Sequence, residues 1–101
     1  MHRYQKVADL MSQLHIDEAF LRQLEGEELI HLKQSSEGEL VVTFEDAERV
    51  RVALMLIGEL DVNLAGVEVI MHMREDMLAM QRQVADILDA LVDEVRRKLQ
   101  R

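Results

Sequence analysis

Met71, Met73, Met77 and Met80 stand close to His72 and Asp76 in the sequence. Thioether and imidazole groups suit a soft ion such as Cu(I), and residues four apart, as His72 and Asp76 are, share one face of a helix. The competing reading is packing. Met73, Met77 and Met80 fall where an apolar helical seam needs side chains, and methionine fills irregular gaps well. Packing accounts for all three, so no metal is expected. His15 and His31 lie on either side of a helical segment, with no carboxylates spaced to orient them, which suits solvated or capping roles better than proton transfer. No nucleophile–base pair, glycine-rich phosphate loop or paired-carboxylate spacing stands out, so a non-enzymatic protein without a cofactor is expected. One grouping remains, the run LEGEEL with Glu25, Glu27 and Glu28. Such a run is ordinarily a solvated face; beside a basic partner it is a contact surface.

The 101 residues suffice for one small domain, whose modest core often gains from a partner chain. Twelve basic residues against 20 acidic ones leave a net charge of −8, which opposes non-specific binding to a polyanion. With no cysteine, a disulfide framework and thiolate–zinc sites are excluded. The N-terminal stretch has no apolar core of the signal-peptide kind, and the longest apolar run, Val52 to Ile57, is far too short to span a bilayer. A cytoplasmic location is therefore expected. Absent proline and scarce aromatics point to a mainly helical chain.

The elements that position these residues follow from periodicity and caps. Val7, Leu10, Met11 and Leu14 predict a helix over about Gln5 to Leu14. Asp17 can cap a second helix, with Phe20, Leu21 and Leu24 on its apolar face, ending near Gly26 to Glu28. The segment HLKQSSEGELVVTF then reads as a strand over Ile30 to Lys33, a turn from Ser35 to Gly38, and a strand over Leu40 to Thr43. Thr43 with Asp46 resembles a capping box opening a helix from about Phe44 to Glu59, weakened near its end by Gly58. Asn63 caps the next helix, and the small residues Ala65 and Gly66 allow it to pack closely on the one before.

From Leu64 onward about 38 residues contain no helix breaker. Ile70, Met73, Met77, Met80, Val84, Ile87 and Leu91 recur in steps of three and four, the seam of a coiled coil; Val95 and Leu99 continue it with a stutter-like drift. A one-sided stripe of this length must be covered, either by its own head or by a second copy. The head is small, so homodimerisation through these nine residues is expected. Arg96, Arg97, Lys98 and Arg101 complement the helix dipole near the C-terminus. The resulting division is a head over 1–62 and a long dimerisation helix over 63–101.

This order of elements resembles MerR-type winged helix-turn-helix proteins: a mainly α fold with a small two-stranded wing and a long C-terminal pairing helix. IDEAFLRQLEGEELI, Ile16 to Ile30, is similar to the family's second helix through Asp17, Leu21, Arg22, Glu25, Leu29 and Ile30. VTFEDAERVRVALMLIGELDVNLAGVEVI, Val42 to Ile70, is similar to the wing exit and third helix. NLAGVEVI in particular resembles MerR-type heat-shock repressors and CbpM-type chaperone modulators. The resemblance implies an antiparallel dimer and a functional second helix.

Departures from the family pattern bear on function. Gln23 and Leu24 replace an aromatic pair, Glu28 stands at the usual exit glycine, and the glycine between the first two helices is either His15 or without counterpart. An arginine-rich wing is replaced by KQSSEGE. Over Asp17 to Asp46, Arg22 and Lys33 face nine carboxylates, a balance of −7 where phosphates would dock. The reading this favours is a homodimeric CbpM-like modulator that binds the J-domain of a DnaJ/CbpA-like co-chaperone and inhibits its action with Hsp70. The expected contacts are Asp17, Glu18, Glu25, Glu27 and Glu28, with Phe20 or Leu24 as an apolar anchor if either is exposed. Reversing Glu25 and Glu28 to Lys is then expected to leave thermal stability nearly unchanged. The alternative is a MerR-family DNA-binding transcriptional regulator of the heat-shock-repressor kind.

Overall fold

The computed structural model describes residues 3–100, in two compact units, the first ending at Met71 and the second beginning at His72. Arg101, one of the C-terminal cations, lies outside the described residues.

The first unit opens with a strand that periodicity did not reveal, β1 (Tyr4–Lys6). It pairs antiparallel with β3 (Leu40–Thr43), setting Tyr4 opposite Thr43 and Lys6 opposite Val41. Gln5 and Lys6 are therefore extended, and the first helix, α1 (Val7–Leu14), starts two residues later than its apolar spacing predicts. The reason is non-local: their backbone groups bond to a strand far along the chain. α1 ends at His15 in the left-handed region, φ 57°, whose N–H returns to the Met11 carbonyl. Asp17 then caps α2 (Glu18–Gly26), its Oδ1 accepting from the Phe20 N–H at 2.9 Å.

The wing is shorter than predicted. β2 covers only Lys33–Gln34, and the sheet order is β1-β3-β2. Ile30 is wholly buried in the core, and the N–H groups of His31 and Leu32 are taken by the Asp46 and Glu25 carboxylates. No ladder can start there. Between the strands Gly38 adopts φ 83°, and Ser35 ties the turn together by donating its N–H to the Glu39 carbonyl at 2.7 Å.

Thr43 caps α3 (Phe44–Leu60), with Oγ1 accepting from the Asp46 N–H at 3.0 Å. The helix runs through Gly58 and ends at Asp61, which is left-handed at φ 53°. Asn63 caps α4 (Leu64–Leu99), its Oδ1 accepting from the Gly66 N–H at 2.8 Å. Gly66 is required by the connection rather than by the body of α3: a Cβ there would lie 2.7 Å from Val62 Cγ1 and 3.3 Å from Asn63 Oδ1.

The core of this unit gathers Leu10 of α1, Leu21 and Leu24 of α2, Ile30, Val42 of β3, and Val50 and Ala53 of α3. Val67 and Met71 of α4 complete it. Packing of the head thus extends about two helical turns past a junction drawn at 62/63.

The second unit is the remainder of α4. Met73, Met77, Met80, Val84, Ile87, Leu91 and Val95 are each more than half exposed, and Leu99 reaches 79%. Arg96, Arg97 and Lys98 occupy the last turn, where Arg97 pairs with Glu94. Among the described residues no helix is long and apolar enough to cross a membrane.

Candidate functional site

α2 turns two opposite faces outward and inward. Leu21 and Leu24 are fully buried, a consequence of their three-residue spacing beside the caps. Leu24 therefore cannot serve as an apolar anchor for a partner; it anchors the core instead. Phe20 is half-buried and packs against the same core. The outward face is largely polar: Glu18, Arg22 and Gln23 flank the small Ala19 on the helix, with Asp17 before it and Glu27 and Glu28 after it.

Arg22 is the single cation of α2, and two carboxylates hold it. Its Nη1 lies 3.0 Å from Glu25 Oε1 and its Nε lies 3.8 Å from Glu18 Oε2. Glu25 has a second partner, because its Oε2 accepts from the Leu32 N–H at 2.9 Å. That backbone bond is the main reason its carboxyl is held below the ordinary glutamate range, with the Arg22 hydrogen bond next and partial burial opposing both. Glu25 is thus a clamp on the exit loop. Reversal to Lys would put a cation where two donors now converge, so a loss of stability is expected in place of the near-neutral effect that sequence alone suggests.

The exit loop has a second clamp. Asp46, only 5% exposed, accepts from the His31 N–H through Oδ2 at 2.9 Å and pairs through Oδ1 with Arg49 at 2.9 Å. The capping-box reading of Asp46 is half right. Its N–H is capped by Thr43, but its carboxylate reaches across to the loop rather than back to the cap. Being buried, it leaves the outward count, which falls to eight carboxylates against the same two cations. Between the clamps Glu28 adopts φ 61°, the left-handed conformation that favours the glycine of the family pattern.

Two cations near the wing are likewise engaged, whereas Arg3, exposed just before β1, has no ion pair among the described residues. Lys6 Nζ lies 3.4 Å from Glu39, and Lys33 Nζ sits 5.7 Å from the Tyr4 ring centroid. By contrast, among the described residues Glu27, Glu28, Glu37 and Glu45 are exposed and carry no ion pair.

On the second unit the seam residues line one exposed apolar stripe, with Ile70 at its head-proximal end in the first unit. Met73, Met77 and Met80 all belong to that stripe. Among the described residues no three His, Asp or Glu side chains are arranged to hold a metal ion.

Two adjoining helices joined by a short turn, a small wing and a long helix capped at Asn63 define a winged helix-turn-helix protein. The family model of the MerR HTH family regulatory proteins matches residues 6–88, most of the chain. The chain belongs to this family. No curated protein matches it.

Proposed function

We propose that this member of the MerR family is a homodimeric, non-enzymatic chaperone modulator of the CbpM kind. In this reading its head binds the basic helix of a J-domain in a DnaJ/CbpA-like co-chaperone and so inhibits delivery to Hsp70. The observation that supports the reading is that the α2 cation Arg22 and the sheet cation Lys6 already face carboxylates. Arg22 is held between Glu18 and Glu25, Lys6 faces Glu39, and unpaired carboxylates surround them. A phosphate approaching α2 would have to break the Arg22 pairs and pass Glu27 and Glu28, losing both attraction and counterion release. A cationic helix meets the opposite situation. Dimerisation through Ile70 to Leu99 covers the apolar stripe, which a single copy leaves in water.

The second reading, a DNA-binding transcriptional regulator, is equally compatible with membership of a family of HTH regulatory proteins. The deciding experiment pairs a pull-down on the cognate J-domain with a gel shift on DNA upstream of the gene. Capture of the J-domain without a competitor-resistant shift supports modulation; the reverse pattern supports transcriptional regulation.

A further inference from the structure

Beside the start of α2 the head carries a groove of about 400 Å³. Its floor is apolar, made by Val7 and Met11 of α1 and Leu40 of β3. Its rim is charged: Asp9 on α1, Glu18 on α2 and Glu39 ahead of β3 supply three carboxylates, against one cation, Lys6. At the small end of the roughly 300 to 1,000 Å³ range of ligand pockets, it has ample room for one long side chain.

The pairing of floor and rim selects the occupant. An apolar side chain would fill the floor but strip water from the carboxylates without replacing it. An acidic side chain would be repelled. A lysine or arginine stem buries its methylenes along apolar surface and keeps its charge at the edge. The rim offers that charge a place: Lys6 only partly neutralises Glu39, at 3.4 Å between exposed groups, and Asp9 has no ion pair among the described residues. Glu18 is shared with Arg22 through a long 3.8 Å contact that an incoming cation can compete with.

We propose that this groove seats one lysine or arginine side chain of a basic helical partner, making it the anchoring subsite of the head. The proposal rests on the protein-binding reading given above and narrows it. The acidic face of α2 attracts the partner, and the groove fixes its register, since Glu18 belongs to both surfaces.

The test uses the full chain and two probes, the J-domain and a lysine-rich amphipathic helical peptide. Methyl chemical shifts of Val7, Met11 and Leu40 are followed during each titration. The substitutions are Ala8→Trp, which plugs the groove from an exposed lining position, and Asp9→Lys, which reverses its rim; Glu27→Lys serves as a comparison outside the groove. Expected are peptide-induced shifts at Met11 and Leu40, and about a tenfold loss of peptide affinity in both groove variants. Circular dichroism checks that Ala8→Trp folds, and Asp9→Lys supplies the answer if it does not. Peptide binding that leaves the three methyls unmoved, or that survives both groove substitutions, overturns the proposal. So does the absence of any peptide binding. If the J-domain fails to bind while the peptide shifts the groove methyls, the groove stands and the chaperone-modulator reading falls. If J-domain binding is weakened by Glu27→Lys but untouched by the groove variants, that reading stands and the groove falls.

Discussion

Glu25 shows how one side chain can stand on a presumed contact surface and still belong to the fold. Its carboxylate holds the Leu32 N–H and the Arg22 guanidinium together. Charge-assisted hydrogen bonds are worth about 1.5–3 kcal/mol when buried and less when a side chain is partly solvated. Glu25→Gln is expected to lower unfolding stability by about 1 kcal/mol at pH 7, measured by urea denaturation. The pH dependence has a definite sign. The folded carboxyl titrates below the ordinary value of 4.5, so its stabilisation is complete above that value and lost as pH falls through the folded one. As pH falls below 4.5 the unmodified protein should therefore lose more stability than Glu25→Gln, and equal slopes would rule out this role. Glu28 offers the opposite case. Its φ of 61° is strained for a side chain with a Cβ, and Glu28→Gly is expected to raise stability by up to about 1 kcal/mol. The caps at Asp17, Thr43 and Asn63 were legible because each bonds within three residues of itself. The carboxylates of Glu25 and Asp46 were not, because their backbone partners lie seven and 15 residues away.

Elements differ in legibility for the same reason. The helices announce themselves through local spacing and caps, and all four stand close to where periodicity places them. β1 does not, since three residues with one inward side chain carry no period that a helix could not also claim. Leu24 was legible as part of the apolar face of α2 from its spacing with Leu21, and its complete burial rules out the second role of partner anchor. At the junction of α3 and α4, Gly66 allows the backbone to pass Val62, and Gly66→Ala is expected to destabilise by about 1–3 kcal/mol in thermal melts. Further along α4, Met77→Asp or Ile87→Asp would place a carboxylate in the apolar stripe, at a cost on the order of several kcal/mol if a partner helix covers it. Sedimentation should show a dimer converting to monomer. An unmodified chain that sediments as a monomer at micromolar concentration would remove the basis for pairing.

For the whole molecule, charge gives the two readings different expected outcomes. With a net charge of −8 and the α2 cation already paired, specific DNA affinity should fall well short of the about 10⁻⁸ M typical of sequence readers. A gel shift at nanomolar protein that resists competitor DNA would reverse the ordering of the two functional readings. Association with a basic helix should instead be fast at low salt and slow as ionic strength rises, because the attraction is screened over about 10 Å at 0.1 M. The double substitution Glu27→Lys with Glu28→Lys is the informative one, since neither side chain has an ion pair among the described residues. It should slow association several-fold in stopped-flow measurements and shift the melting temperature little. If association and its salt dependence are unchanged, the partner uses another surface, and the long helix is the next to examine.

The twin clamps on the exit loop also set a clock. His31 and Leu32 lie in a segment with neither helix nor strand, where amide protons ordinarily trade with solvent deuterium within seconds to minutes. Here both amides are held by carboxylates, one of them rooted in α3, so they open only when that anchorage does. An island of slow deuterium uptake between two fast-exchanging turns would make this loop a built-in reporter of when the head comes apart.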